Sequence, residues 1–460
     1  MPDELTKGSL RKFAEASRED YEELLESFVE IPSISAEKER EPDIRRMSEL
    51  AVETIRGFGG EAEQIETAGY PIVFGQFRYS KSAPTVTVYN HMDVQPASVE
   101  TEPWETEPFE FTKKGKRYFG RGTTDDKGPA LSVLYGIKAA VENDLPVNIN
   151  LLWELEEEIG SPSFEKALKQ HSSRFRTDSV IVSDTIWVSR DKPACPAGLR
   201  GMQAFEFVLE TGKTDIHSGT TGGLARNPLG ELLKMLAEMH DPRTGRVRIK
   251  GFYDDVKKLS RKELDDFRSS GFSVAKFKRA HRVKSVRTED PLDAMKRLWA
   301  EPTFEVHGLV GGYTGPGIKT IIPPKAVAKV SCRLVPDQDP KKILKLIREW
   351  VKERYPEVKI VPENRMEPYF SPIEGPLPDA VRRSMKFAFG KDPAFVREGG
   401  SIGAVPSMEK VLDCPVVFLG LSLPEHGYHA PNENFDWDQA SGGMIAFAKY
   451  FEEIAKSRGD

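Results

Sequence analysis

The period of the hydrophobic pattern changes several times along the chain, and each change predicts a different kind of element. Between residues 42 and 60, PDIRRMSELAVETIRGFGG places apolar side chains at Ile44, Met47, Ala51 and Ile55. That recurrence predicts one face of a helix, with Asp43 able to cap it and Gly59 able to end it. Short runs rich in β-branched residues follow at TVTVYN (85–90), VNINLLWEL (147–155), SVIVS (179–183) and PVVFLG (415–420). These read as strands, and helical stretches such as KGPALSVLYGIKAAVEN separate the early ones. Strand and helix alternating in this way predict an α/β domain with a largely parallel sheet.

The middle of the chain has another rhythm. QAFEFVLE (203–210) alternates Phe205, Phe207 and Leu209 with Glu206 and Glu210, the pattern of a strand with one wet face. A helix at NPLGELLKMLAEMH, a strand near FEVHG and the alternating AVAKVSCRL come next. The helix PKKILKLIREWVKERY and the strand VKIV complete an order β-α-β-β-α-β, that of a ferredoxin-like unit. The expected organisation is a first domain formed by residues 1–199 and 374–460, interrupted by a second over 200–373 that carries a charge-rich insertion at 242–300. PYFSPIEGP is read as the return linker.

Composition narrows the partners. A chain of 460 residues exceeds one typical core, which agrees with two domains. Lys and Arg number 66 against 72 Asp and Glu, for a net charge of -6, so no basic footprint for nucleic acid is present. An acidic balance instead leaves room for cations. The opening MPDELTKGSLRKFAEASRED has no apolar core of the kind a signal peptide needs, and no stretch approaches a membrane span. A cytoplasmic protein with no membrane partner is expected. Cys195, Cys332 and Cys414 are too few and too widely spaced for a disulfide framework or a metal knuckle.

Candidate chemistry collects at strand ends. TVTVYN leads into His91 and Asp93, VNINLLWEL into Glu157 and Glu158, and SVIVS into Asp184. In open α/β sheets the functional crevice lies beyond the carboxyl ends of the strands, so these groups should converge. GRGTTDDKG adds Asp125 at the mouth of a helix, and LPEHGYHAPNE adds a histidine-bearing loop. A run of glutamates alone fits a solvated loop, and HxD alone fits a structural histidine. Recurrence of hard acids and imidazoles at several strand ends points instead to metal. Carboxylate and imidazole without thiolate suit zinc, manganese or cobalt. Five such ligands exceed one tetrahedral ion and suit a pair bridged by a carboxylate. GGYTGPGIKT (311–320) is a broken phosphate-loop pattern, because Ile318 separates Gly317 from Lys319.

YNHMDVQPA, YFGRGTTDDKGPAL, ELEEEIGS, IVSDT, GLRGMQ, DIHSG, KTIIPPKAVAKVSCRLVP, REGGSI and YHAPNE occur in this order. Together they resemble the dinuclear metallopeptidase family of cytosolic nonspecific dipeptidase, carnosine dipeptidase, carboxypeptidase G, acetylornithine deacetylase and succinyl-diaminopimelate desuccinylase. The dipeptidase branch is the nearest in motif. The resemblance spans nearly the whole chain and implies a metal-binding α/β domain interrupted by a ferredoxin-like lid that also dimerises.

Carried over position by position, the resemblance implies two divalent ions per subunit, zinc first, with manganese or cobalt as alternatives. Asp125 would bridge them; His91 and Asp184 would complete one ion, and Glu158 and His429 the other. Glu157 would be the general base. Asp93 would hold the His91 imidazole in its tautomer, and Asp126 would serve the loop or the helix start. His426 competes with His429, but the family's ligand stands just before a PNE-like stretch, which favours His429. His217 resembles the lid histidine that reaches the partner subunit's site in a homodimer.

Arg333 lies on the polar parity of AVAKVSCRL and suits a peptide's free carboxylate. Thr320, Gly400 and Ser401 resemble other parts of that carboxylate site. Asn227 could aid the oxyanion or cap the following helix. Two departures fall on the substrate side: GAVP follows REGGSI, and ENRMEPYF replaces an expected histidine-bearing segment. The expected activity is metal-dependent hydrolysis of dipeptides or short peptides with a free carboxylate. An N-acyl-amino-acid deacylase or desuccinylase is the alternative, and a non-catalytic family member a further one.

Overall fold

Six strands pair side by side in the order Glu61–Ile65, Ile72–Phe77, Asn148–Glu154, Thr85–His91, Ser179–Val182 and Val416–Phe418 in the computed structural model, which describes residues 5–456. The first three are joined by antiparallel pairings, and the rest run parallel. Apolar side chains cover both faces. Val86, Val88, Leu151 and Trp153 enter one core, and Tyr89, Leu152, Val180 and Val182 another. Burial on both faces explains why these strands are rich in large apolar and β-branched residues on either parity, with Thr87, Asn148 and Asn150 also buried.

Helices Glu41–Gly57, Lys127–Glu142 and Trp437–Lys456 line the first core. Ile44, Met47, Ala51 and Ile55 are all fully buried, as their spacing predicts. This helix starts two residues before the expected cap: Arg40 is the cap residue, and Glu41, Pro42 and Asp43 form its first turn. Proline's fixed φ and the acidic pair both favour a helix start.

The lid is a four-stranded antiparallel sheet ordered Glu305–Val310, Lys325–Leu334, Gly201–Glu210 and Lys359–Met366. Helices Pro228–Met239 and Pro340–Arg354 pack on one face, where Leu232, Met235, Ile343 and Ile347 meet Phe205, Phe207, Ala328 and Val330. This is the ferredoxin-like connectivity, with the two halves of the unit interleaved.

The 242–300 segment does not sit as one insertion within the lid. Val247, Ile249 and Phe252 join the lid core, whereas Phe267, Met295 and Trp299 join the core of the first domain. Helix Arg261–Ser269 is pinned there by Phe267, whose ring lies 5.0 Å from Trp299 in an edge contact. Charged residues outnumber these anchors, so composition alone hides the split. No helix among the described residues is long and apolar enough to cross a membrane.

Candidate metal centre

Each candidate ligand is delivered by the carboxyl end of a strand or by the loop after it. His91 closes the Thr85–His91 strand and stands opposite Glu154 in parallel register. Glu157 and Glu158 open a single helical turn, Glu157–Ile159, immediately after the neighbouring strand. Asp184 follows Ser179–Val182. Two consecutive carboxylates at a turn escape the pleat alternation that would send them to opposite faces of a sheet.

The cluster is tight. His91 Nε2 lies 2.9 Å from Asp125 Oδ1 and 3.8 Å from Asp184 Oδ2. His429 Nε2 lies 3.0 Å from Asp125 Oδ2 and 3.1 Å from Glu158 Oε2. The two oxygens of Asp125 therefore face two different imidazoles. Ligand atoms of His91, Asp125 and Glu158 all lie within 4.8 Å of one another, as do those of His91, Glu157 and Asp184. Two ligands held about 2.0–2.1 Å from one tetrahedral ion stand roughly 3.3 Å apart, so these spacings fit a divalent cation.

Charge makes the same demand. Burial pushes Glu157 well above the usual carboxylate range, with Asp184 and Glu158 adding to it against His91. Burial likewise raises Asp184 to about 7. Asp125 is held low despite burial, because His429 and His91 both hydrogen-bond to it. His429 is raised to about 11 against the effect of burial by Asp125 and Glu158. Four carboxylates share two imidazoles, an excess of negative charge that cations would neutralise.

Asp93 is placed differently from a simple partner of His91. Its backbone carbonyl stands 3.0 Å from His91 Nδ1, while its carboxylate is 3.5 Å away. That carboxylate also accepts the backbone N–H of Glu157 at 3.2 Å and of Glu158 at 3.0 Å. Asp93 thus ties the histidine strand to the glutamate turn. Asp126 occupies the cap position of helix Lys127–Glu142 without a side-chain cap bond, and Asn90 donates to its Oδ2 at 2.7 Å. His426 points away from the cluster; its Nε2 meets Asp436 at 3.0 Å and its Nδ1 accepts from Leu423 N.

Several supporting residues had no assigned role in the sequence reading. Glu433 Oε1 accepts the N–H groups of Gly122 at 3.0 Å, Thr124 at 3.0 Å and Asp125 at 3.1 Å, and Arg121 pairs with its other oxygen at 2.8 Å. Tyr428 donates to Asp184 Oδ1 at 3.2 Å, and Gln95 to Glu158 Oε2 at 2.7 Å. Glu398 is raised to about 8 by burial and by the charge of Asp184, and its Oε2 has no hydrogen-bond partner. The glutamate of PNE and the glutamate of REGG were the available signals. Glu154 and Glu156 are buried structural carboxylates: Tyr89 donates to Glu154 at 2.7 Å, and Tyr70 N and Ser163 N donate to Glu156 at 3.0 and 3.1 Å.

The lid-side residues form separate groups. Arg333 donates to Ser401 Oγ at 3.2 Å, and Arg200 N donates to Gly400 O at 2.9 Å, bringing Arg333, Gly400 and Ser401 together. His217 pairs with Ile321, and Ser218 N donates to Thr320 O at 2.9 Å, so His217 and Thr320 are neighbours on the exposed lid. Among the described residues the His217 ring accepts only a local bond, from Gly219 N at 2.9 Å. Asn227 caps helix Pro228–Met239 by accepting from Leu229 N and Gly230 N.

An open α/β sheet with a cluster of carboxylates and imidazoles at its strand ends, overhung by a ferredoxin-like lid, defines a metal-dependent hydrolase of the two-domain kind. The model of Peptidase family M20/M25/M40 matches residues 87–453, and the chain belongs to that family. It is similar to the Cys-Gly metallodipeptidase dug1 of Schizosaccharomyces pombe, 32% identical over 468 residues that cover 97% of this chain and 98% of that protein. It is also similar to the human Beta-Ala-His dipeptidase, 27% identical, with 97% and 92% covered. Among solved structures, the M20 family metallo-carboxypeptidase Sso-CP2 from Sulfolobus solfataricus superposes with a TM-score of 0.86 at 30% identity, covering 94% of this chain and 98% of its own.

Proposed function

We propose that the protein is a dinuclear metallodipeptidase that hydrolyses dipeptides or short peptides bearing a free carboxylate. The observation that carries this reading is Asp125, whose two oxygens face His91 at 2.9 Å and His429 at 3.0 Å as a bridging carboxylate would. In this reading His91, Asp125 and Asp184 hold one ion, and Asp125, Glu158 and His429 the other, with zinc preferred over manganese or cobalt. The ions would supply Lewis acidity at the scissile carbonyl and acidify a water from a pKa of about 15.7 towards about 7.

The remaining steps belong to side chains. Glu157 accepts the proton of the attacking water at its carboxylate and passes it to the departing amine nitrogen. Its environment suits that role, because burial and neighbouring charges raise its proton affinity. Asp93 fixes the Glu157 turn through two backbone N–H groups and orients His91 through its carbonyl. Arg333, Ser401 and Gly400 receive the substrate carboxylate, and Thr320, which neighbours His217 on the lid, joins them from the other subunit of the dimer. Asn227 is assigned to the lid helix it caps rather than to the oxyanion. The Glu398 carboxylate, whose Oε2 is buried and has no hydrogen-bond partner, suits a free α-ammonium group, which N-acyl amino acids lack.

His217 is proposed to act across a homodimer. Support comes from the lid surface, where Leu224 and Ile318 are 93% and 94% exposed and the edge strand Glu305–Val310 carries the exposed Val306 and Val310. Side chains of this size and exposure are suited to cover by a second subunit. The free, buried thiols of Cys195, Cys332 and Cys414 suit a cytoplasmic setting.

The test is a substrate panel on metal-reconstituted protein, comparing dipeptides such as Cys-Gly and β-Ala-His with N-acetyl and N-succinyl amino acids. Higher kcat/KM on dipeptides is expected. A preference for the N-acyl compounds would overturn the dipeptide reading while leaving amide hydrolysis intact.

A further inference from the structure

The segment 261–301 grips the loop that carries Gly399, Gly400 and Ser401 at three points. Glu263, buried on helix Arg261–Ser269, accepts from Arg397 Nε at 3.0 Å and from its terminal nitrogen at 2.7 Å. Arg397 is 1% exposed and stands just before Glu398, and its guanidinium also covers the ring of Phe370 at 5.2 Å. At the far end of the segment, Arg200 donates to Arg297 O at 2.6 Å and Glu301 O at 2.7 Å, while its backbone N–H holds Gly400 O. A Cβ on Gly399 would lie 3.9 Å from Leu298 O, so the helix end runs directly beside the loop.

Helix Arg261–Ser269 is itself fixed in register. The other oxygen of Glu263 accepts from Ser260 N at 2.8 Å, and Ser260 Oγ in turn accepts from Glu263 N at 3.2 Å. A capping box therefore orients the same carboxylate that pairs with Arg397. Gly399 and Gly400 bring no side chains of their own to anchor the loop, so its position has to be imposed by neighbours. On the substrate side, Ser401 accepts from Arg333 and donates to Arg200 O.

We infer that the 261–301 segment is a brace for the carboxylate-binding loop, and that Glu263 is a positioning residue that acts through Arg397 on Gly400, Ser401 and Arg333. The inference rests on the reading of Arg333 and Ser401 as receptors for the substrate carboxylate. A buried pair that loses one partner leaves an uncompensated charge, so removing the Glu263 charge should let the Arg397 end of the loop move.

The experiment measures kcat/KM for one dipeptide and for its C-terminal amide on the same preparation. Their ratio reports carboxylate recognition and is independent of the fraction of folded or metal-loaded enzyme. Arg333→Ala should collapse the wild-type preference for the free acid. Glu263→Gln should lower it by about tenfold, mainly through KM for the acid: a misplacement of about 1 Å costs up to about a hundredfold, and the remaining Arg200 grip keeps the shift smaller than that. Glu263→Asp, which keeps the charge, should recover part of the preference. Arg200→Lys loses the second grip and should lower the ratio in the same way, which decides the matter if Glu263→Gln does not fold. A ratio that collapses in Arg333→Ala but is unchanged in Glu263→Gln and Arg200→Lys overturns the brace alone. A ratio unchanged in Arg333→Ala overturns the carboxylate reading and the brace with it.

Discussion

Glu433 and Asp125 stand 308 positions apart in the chain, and the Glu433 carboxylate accepts the Asp125 backbone N–H at 3.1 Å. The loop that presents the proposed bridging ligand thus hangs from the loop that presents His429. Supporting bonds of this kind are worth about 10- to 100-fold in metal affinity. Glu433→Ala should weaken metal binding by about that factor, read by competition with a chelator. It should also lower the melting temperature, because the buried Arg121 guanidinium loses its partner. Unaltered metal affinity would count against the suspension of the loop.

Adjacent glutamates should fail differently. Glu157→Gln is expected to keep both ions and lose about 10²- to 10⁴-fold in kcat, the usual worth of a positioned acid–base group. Glu158→Gln should lose occupancy at one ion. Metal analysis and turnover on the two purified variants separate these outcomes, and a fully active Glu157→Gln enzyme would sink the mechanism.

Sharing of sites across the dimer is tested by mixing. His217→Ala and Glu157→Gln subunits are each expected to be inactive alone. When they are unfolded together and reassembled, a two-fold dimer should regain about a quarter of the sites, since half of the dimers are mixed and each restores one site. No recovery in a verified mixed dimer would rule out a contribution of His217 in trans.

Glu154 should make the metal-free protein sensitive to pH. Burial raises its pKa from an ordinary 4.5 to about 8, despite the Tyr89 hydrogen bond. Between those values the unfolded chain has released the proton and the folded chain retains it. Stability from this group is therefore full below about pH 4.5 and is lost as pH rises through about 8, at a slope of up to about 1.4 kcal/mol per pH unit. Glu154→Gln should remove that component. Denaturant titrations of chelated protein at several pH values would show it as a gain over wild type that grows with pH; a constant difference would contradict it.

Much of this architecture was legible in hydrophobic period. The apolar runs at 85–90 and 147–155 pair in parallel with both faces covered, and the alternation of Phe205, Phe207 and Leu209 faces one core. Candidate ligands were legible because hard donors recur where strands end. The supports were not. Glu433 looks like any loop glutamate until the Gly122–Asp125 backbone is folded against it, and nothing in local sequence records which N–H groups a carboxylate will meet. The split of 242–300 was hidden for a similar reason: three apolar anchors, Phe267, Met295 and Trp299, decide its placement against a charged background. Glu154 ends its strand and Glu156 follows it, yet both are buried, since Tyr89, Tyr70 and Ser163 supply the donors that water would otherwise provide.

The two histidines that face Asp125 differ in their access to solvent. The His91 side chain is 0% exposed, whereas that of His429 is 54% exposed. With the proposed ligand sets, the two halves of the centre would exchange with their surroundings at unequal rates. The ion on His429 would be the last to load and the first to leave, so the enzyme would pass through a half-filled form whenever cation supply fell. Its activity would then follow the free concentration of the metal in the cell and not only the amount of protein made.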